Sequence, residues 1–190
     1  KFPLVLGIVG IICTGALSVV YEVTKDKIAY NKNKVAIDLM SGIVPDISNA
    51  EPVLEKYDVA KAESLGVKNM YEVSDSKGVC AYGYLAEVTG YNPGINFLLV
   101  LDDTDSIIVG FSVVSHQETN SGSYGGPLLN SPDFAAQFTG IGFDEVGSKV
   151  DFVAGSTAKV TMGAVKAGVD NVISFHKQAV LGETDDGINL

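Results

Sequence analysis

Arginine and tryptophan are absent from this chain, and all 13 basic residues are lysines. Acidic residues outnumber them, and the formal net charge is −10. The charge is spread unevenly. Residues 1–34 hold five Lys against Glu22 and Asp26, a net +3, while the rest of the chain carries −13. Phosphate contacts need cationic side chains, so an acidic domain without Arg is excluded as a nucleic-acid binder. Anionic lipid headgroups repel such a domain and attract its basic neck, which makes membrane lipid an expected partner of the N-terminal part. Cysteine is scarce as well. Cys13 and Cys80 stand far apart, with no Cys-x-x-Cys and no metal-ligand spacing. This excludes a disulfide framework and an iron–sulfur cluster held by this chain alone, and no metal site is expected. Cys80 reads as a small core residue. No GxGxxG follows a strand and no Walker sequence occurs, so the ordinary dinucleotide and P-loop folds are excluded too.

What the chain does have is one long apolar run. Phe2 to Tyr21 contains no charged residue, and as a helix it spans about 30 Å, the thickness of the hydrocarbon core. Gly7, Gly10, Gly15, Ala16 and Ser18 supply small residues against which another helix packs closely. No small-x-small cleavage site precedes the polar neck, which favours an anchor over a cleaved signal. Lys25, Lys27, Lys32 and Lys34 follow the run, and charge asymmetry alone would put the following domain in the cytoplasm.

The expected organisation is a transmembrane anchor over 1–22, a helical neck over 23–48 and one domain over 49–190. Within the domain, 49–66 contains Pro52 and is expected to hold a short, charged helix. After it come strands at 69–74, 79–89, 96–101 and 107–117, separated by turn residues. Alternation along the second strand puts Cys80, Tyr82, Tyr84, Ala86 and Val88 on one face. Ser131 as N-cap and Pro132 at the first position start a short helix that Gly140 ends, with Phe134 and Phe138 packed together. The fold class is α+β: an antiparallel sheet with flanking helices, behind an N-terminal transmembrane helix.

The most informative stretch is Asp151 to Lys177. A short apolar run passes through Gly155-Ser156-Thr157 into a helix with Val160, Ala164, Val165, Val169, Val172, Ile173 and His176 on one side. Ser156 and Thr157 are helix-capping residue types, and the free N–H groups of such a start attract a phosphate. Taken alone, this is an ordinary helix cap.

Four other segments give it more meaning. Gly90-Tyr91-Asn92-Pro93-Gly94 precedes Ile95 and an apolar run. His116-x-Glu118-Thr119 ends a strand and leads into the glycine-rich loop 120–127. Ser131-Pro132-Asp133-Phe134 opens a short helix, and the apolar run lies at the N-terminus. In this order, and over roughly the whole chain, the set resembles the FMN-binding domains of Rnf-type and Nqr-type respiratory complexes. The short length favours the Rnf-type G subunit over the longer Nqr-type C subunit. In that family Ser-Gly-Ala-Thr opens a helix, and the Thr oxygen is esterified to the FMN phosphate. Here the register reads Ala154-Gly155-Ser156-Thr157, with Ala for the first Ser and Ser for Ala.

The resemblance implies covalent FMN on Thr157, with Ser156 as a second possible acceptor. It also implies that Tyr91, His116, Glu118, Thr119, Gly155 and Ala154 lie near the flavin. Leu128 and Leu129 would cover its dimethylbenzene edge, and no residue acts as a catalyst in its own right. The loop 120–127 departs from the family's Pro-Gly-Leu-Gly continuation, so its flavin contacts are open. The implied function is electron transfer within a membrane ferredoxin:NAD oxidoreductase coupled to Na+ or H+ movement. Partners would be the other membrane and peripheral subunits of the Rnf complex and a flavin transferase. The flavin domain would lie outside the plasma membrane on a single-pass anchor, contrary to the bare charge asymmetry. The alternative is a membrane-anchored ligand-binding or sensory domain without covalent flavin. A hydrolase built on Ser156 and His116 is disfavoured, because Gly-x-Ser-x-Gly is missing.

Overall fold

A computed structural model describes residues 34, 37–44, 47–76, 78–102, 104–153 and 158–183. The chain divides into two units, residues 1–38 and residues 39–190. The expected anchor and most of the expected neck lie outside the described residues, as do Ala154, Gly155, Ser156 and Thr157. Among the described residues no helix is long and apolar enough to cross a membrane. Every strand among the described residues belongs to the second unit.

The centre of that unit is a five-stranded antiparallel meander in the order β1-β2-β3-β4-β5. The strands are β1 (Asn49–Pro52), β2 (Val67–Asp75), β3 (Gly78–Val88), β4 (Ile95–Asp102) and β5 (Ile108–Ser115). Four of the five were expected within two residues or so at each end. The exception is β1. The charged segment 49–66 does hold the expected short helix, α1 (Val59–Ser64), but before it come an edge strand and a helical turn at Leu54–Lys56 that were not expected. Pro52 tolerates the edge because an edge strand has one unpaired side. Asp58 caps α1, its carboxylate accepting the Lys61 N–H at 3.0 Å.

The helices that come next are α2 (Gly125–Leu129), α3 (Pro132–Ala136), α4 (Val146–Lys149) and α5 (Lys159–Ala179). Alternation along β3 and β4 sorts the sheet into two faces. Tyr84 pairs with Leu99 and Ala86 with Phe97, and all four are buried towards α5. Gly83 pairs with Val100 on the other face, where a side chain at Gly83 would meet Met40 Sδ at 2.6 Å. Gly110 on β5 is occupied in the same way by Ile43. Two glycines thus open the sheet surface to the segment 39–44, and Met40 is fully buried.

On the first face α5 lies close to the strands. Gly168 leaves room for Val88 and for the Phe97 ring, which a Cβ would approach to 3.1 Å. The edge of this core is aromatic: Phe111 stacks on Phe138 at 4.3 Å between ring centroids, and Phe134 meets Phe138 edge-on at 5.4 Å. The expected Phe134–Phe138 pair is therefore core. Ser131 makes no capping hydrogen bond among the described residues, so the expected cap role is not what starts α3; Pro132 at its first position is the remaining local signal.

The helix expected after Gly155-Ser156-Thr157 begins at Lys159, with Ala158 at the N-cap. Its buried stripe is Thr161, Met162, Val165, Gly168, Val169, Val172, Ile173, Phe175 and His176. Val160, placed on that stripe by helical spacing, points to solvent and is 59% exposed. Spacing followed the apolar residue, whereas the polar Thr161 holds the inward register.

Candidate functional site

The large cavity of the domain measures about 900 Å³ and opens at the N-terminal end of α5. Three pieces of chain wall it: the turn after β3, the chain after β5 with its glycine loop, and Ala158 to Thr161. Tyr91 comes from the first, Glu118, Thr119 and Tyr124 from the second, and Lys159, Val160 and Thr161 from the third.

The turn is shaped by its own residues. Gly94 has φ +84, which Gly adopts without strain. Gly90 has no room for a side chain, since a Cβ would lie 2.5 Å from Glu118 Oε1 and 2.6 Å from Ile95 Cδ1. With Gly90 pressed inwards, Tyr91 is thrown outwards and is 79% exposed. The turn is also tied down. The Asn92 backbone N–H donates to Glu118 Oε1 at 2.9 Å, and Asn92 Nδ2 donates to the Gln117 carbonyl at 3.1 Å.

Glu118 is a buried carboxylate, 4% exposed, at the base of this arrangement. Its Oε2 faces Gly125, where a Cβ would come within 2.6 Å and would also collide with Thr161 Oγ1. The glycine loop is closed by the Gly126 N–H donating to the Thr119 carbonyl at 3.0 Å. Here too a side chain is excluded, with Thr119 O at 2.6 Å and Asn120 Cα at 2.8 Å from a Cβ. The loop thereby presents Tyr124, 62% exposed, at the cavity wall. Three exposed large hydrophobic residues, Tyr91, Tyr124 and Val160, line this one cavity, and exposed apolar groups gathered in one place mark a binding site.

His116 takes a different part. Its Nε2 lies 3.1 Å from Asn130 Oδ1, and Asn130 Nδ2 donates to Asn120 Oδ1 at 2.9 Å. Asn130 Oδ1 only accepts, so Nε2 is the donor in that bond, and Nδ1 is buried with no partner among the described residues. This chain of three side chains braces the loop 119–130. His116 does not line the cavity. Leu128 and Leu129 do not line it either; both are buried in the core.

Of the residues singled out in the sequence, the structure brings Tyr91, Glu118 and Thr119 together. Ala154, Gly155, Ser156 and Thr157 lie outside the described residues, but Ala158, next in the chain, lines the cavity. Tyr124, Lys159, Val160 and Thr161 were missed. For Tyr124 a signal existed, an aromatic residue set among Gly122, Gly125 and Gly126. For Thr161 the signal was its spacing of four from Val165, masked by its polarity.

The start of α5 has the electrostatics of an anion site. No side chain among the described residues caps it, and this is the positive end of a 21-residue helix. Lys159 adds a cation at the same place.

Comparison with known proteins gives the same picture from another side. Residues 3–41 match the family model of the RnfG N-terminal region, and residues 90–174 match that of the FMN-binding domain. The second match includes every described wall of the cavity. The G subunit of the ion-translocating oxidoreductase complex of Aliivibrio fischeri strain MJ11 is 26% identical over 133 residues, covering 63% of this chain and 59% of that protein. The protein of the same name from Vibrio vulnificus strain YJ016 is 24% identical over 201 residues, covering 96% and 93%. That from Haemophilus influenzae strain PittEE is 25% identical over 121 residues, covering 63% and 58%. In the first of these matches the chain spans about six tenths of its relative's length.

Proposed function

We propose that this chain, which is RnfG-like and carries an FMN-binding domain, is an electron-transfer subunit of an ion-translocating oxidoreductase complex and holds FMN covalently on Thr157. The observation that carries the reading is the cavity at the start of α5. Its volume of about 900 Å³ lies within the range of ligand pockets, about 300–1,000 Å³. Exposed Tyr91 and Tyr124 offer aromatic surface to a planar ring. The N-terminus of α5 and Lys159 offer hydrogen bonds and positive charge to a phosphate. The residues present therefore fit both halves of FMN.

FMN supplies one- and two-electron chemistry when bound. The chain's own residues bind and orient. Ala158, which follows Thr157 in the chain, lines the cavity, and this supports an ester at Thr157 Oγ1 near the start of α5. The covalent bond retains the cofactor, and the acidic domain disfavours additional negative charge on it. The chain offers no nicotinamide motif and no cysteine cluster, so electrons come from and go to partner subunits; ferredoxin and NAD are the proposed ends of that path. Residues 2–21 serve as the membrane anchor, in contact with lipid and neighbouring subunits. A flavin transferase completes maturation, and the flavin domain lies on the extracytoplasmic side.

Intact and peptide mass on protein from its native membrane tests the attachment. The expected result is an added FMN less one water on the peptide spanning Ser156 to Lys159, lost in Thr157→Ala. An unmodified peptide from a host with an active flavin transferase overturns it, and non-covalent binding becomes the better reading. Protease protection in sealed vesicles tests sidedness, and digestion of the domain from the cytoplasmic face alone overturns the outside assignment.

A further inference from the structure

All three walls of the cavity converge on one side chain. Glu118 Oε1 accepts the Asn92 N–H at 2.9 Å and so holds the turn that presents Tyr91. The same oxygen fills the space that a side chain at Gly90 would need. Oε2 and Thr161 Oγ1, in the first turn of α5, both border the space that a side chain at Gly125 of the glycine loop would need. Both glycines are required by the carboxylate, and the carboxylate is buried by them. A buried carboxylate is costly unless its oxygens are used, so its presence at the meeting of three segments calls for a role.

We propose that Glu118 is a positioning residue: its carboxylate sets the separation of the Tyr91 turn, the glycine loop and the first turn of α5, and so the width of the cavity for a planar ring. It acts through Asn92, Gly125 and Thr161. The proposal rests on the FMN reading for the identity of the ring, but not for the mechanical role. In this role the acceptor oxygen matters more than the charge, because the bond it receives comes from a neutral backbone N–H.

The test uses the full chain, as wild type, Glu118→Ala and Glu118→Gln. Backbone hydrogen exchange is read at Asn92 and, as an internal control for folding, at Leu98 and Leu99 of β4. Glu118→Ala is expected to speed exchange at Asn92 by about tenfold, the scale of one lost hydrogen bond. The β4 amides stay as protected as in wild type. Glu118→Gln, which keeps an acceptor at the same place, restores protection at Asn92. On protein carrying FMN, the visible circular dichroism of the flavin is expected to change in Glu118→Ala and return in Glu118→Gln. Unchanged exchange at Asn92, an equal rise at Leu98 and Leu99, or failure of Glu118→Gln to rescue would each overturn the proposal. A wild-type protein without FMN would sink the cofactor reading instead, while the exchange data would still decide the role of Glu118.

Discussion

The two ends of α5 meet opposite environments. Its C-terminal half lies on the sheet, where Val169, Val172, Ile173, Phe175 and His176 are buried. Its N-terminal turn borders the open cavity, with Val160 exposed and Lys159 at the rim. At the closed end even the polar residue is enclosed. His176 is fully buried, its Nδ1 lies 2.8 Å from the Tyr84 hydroxyl, and the rings of Tyr82, Tyr84 and Phe143 surround it within 5.7 Å. At the open end apolar and aromatic groups are left in water while the carboxylate of Glu118 is buried. The usual sorting of polar and apolar groups is reversed there. Stability is concentrated at one end of the helix, and surface free to bind something is kept at the other.

The largest effect should come from the closed end. Phe138→Ala removes a fully buried ring that stacks on Phe111, and unfolding in urea should show a loss of about 3–5 kcal/mol. A loss below about 1 kcal/mol would mean that this core is loosely packed, and the comparison would fail at its stronger side.

Next comes His176. Burial holds its pKa down, to about 4 from 6.5, with the neighbouring Asp102 only partly offsetting it. Its Nε2 has no hydrogen-bond partner among the described residues. The folded state thus keeps the imidazole neutral where the unfolded chain would take up a proton. Above about pH 6.5 neither state is protonated there and the group has no effect on stability. As pH falls from 6.5 to 4 the unfolded state gains protons first, and stability drops by about 3 kcal/mol. Subtracting the pH profile of His176→Phe from that of wild type should isolate this drop. A flat difference would show that His176 is not held neutral.

A smaller effect is expected midway along the helix. Gly168→Val pushes a branched side chain into Val88 and Phe97 and should cost about 1–3 kcal/mol by overpacking. A neutral result would place α5 farther from the sheet than the structure does. The smallest stability effect belongs to the open end. Tyr91→Ala removes an exposed ring and should change stability by no more than about 0.5 kcal/mol. It should nevertheless alter the flavin absorption or fluorescence of the loaded protein. A large loss of stability in Tyr91→Ala would erase the distinction between the two ends.

Much of the sheet was legible in the chain. Period-two alternation at β2 and β3, and the long apolar runs of β4 and β5, are what half-buried and buried strands require. The edge strand β1 was not legible, because Asn49 to Pro52 has neither alternation nor β-branched residues; pairing with β2 decides it. Of the cavity's lining, Tyr91, Glu118 and Thr119 lie in short motifs already visible in the sequence, whose glycines and turn residues have local causes. Val160 was placed on the buried stripe of α5, and Thr161, which is buried, was not. Helical periodicity identifies a stripe by its apolar members, and here the inward position is filled by a hydroxyl that faces Gly125 of the glycine loop. Leu128 and Leu129 were placed at the ligand by resemblance, but packing takes both into the core.

By itself the sequence determined the class of the protein and the order of its parts. Charge, the missing cysteine clusters, the apolar run and the strand periodicities are properties of composition and spacing, and they survive without contacts. The tertiary structure alone decided which polar groups are buried and which aromatic groups are not. That choice depends on segments far apart in the chain, Asn92 with Glu118 and Gly125 with Thr161, whose mutual distance no local pattern encodes.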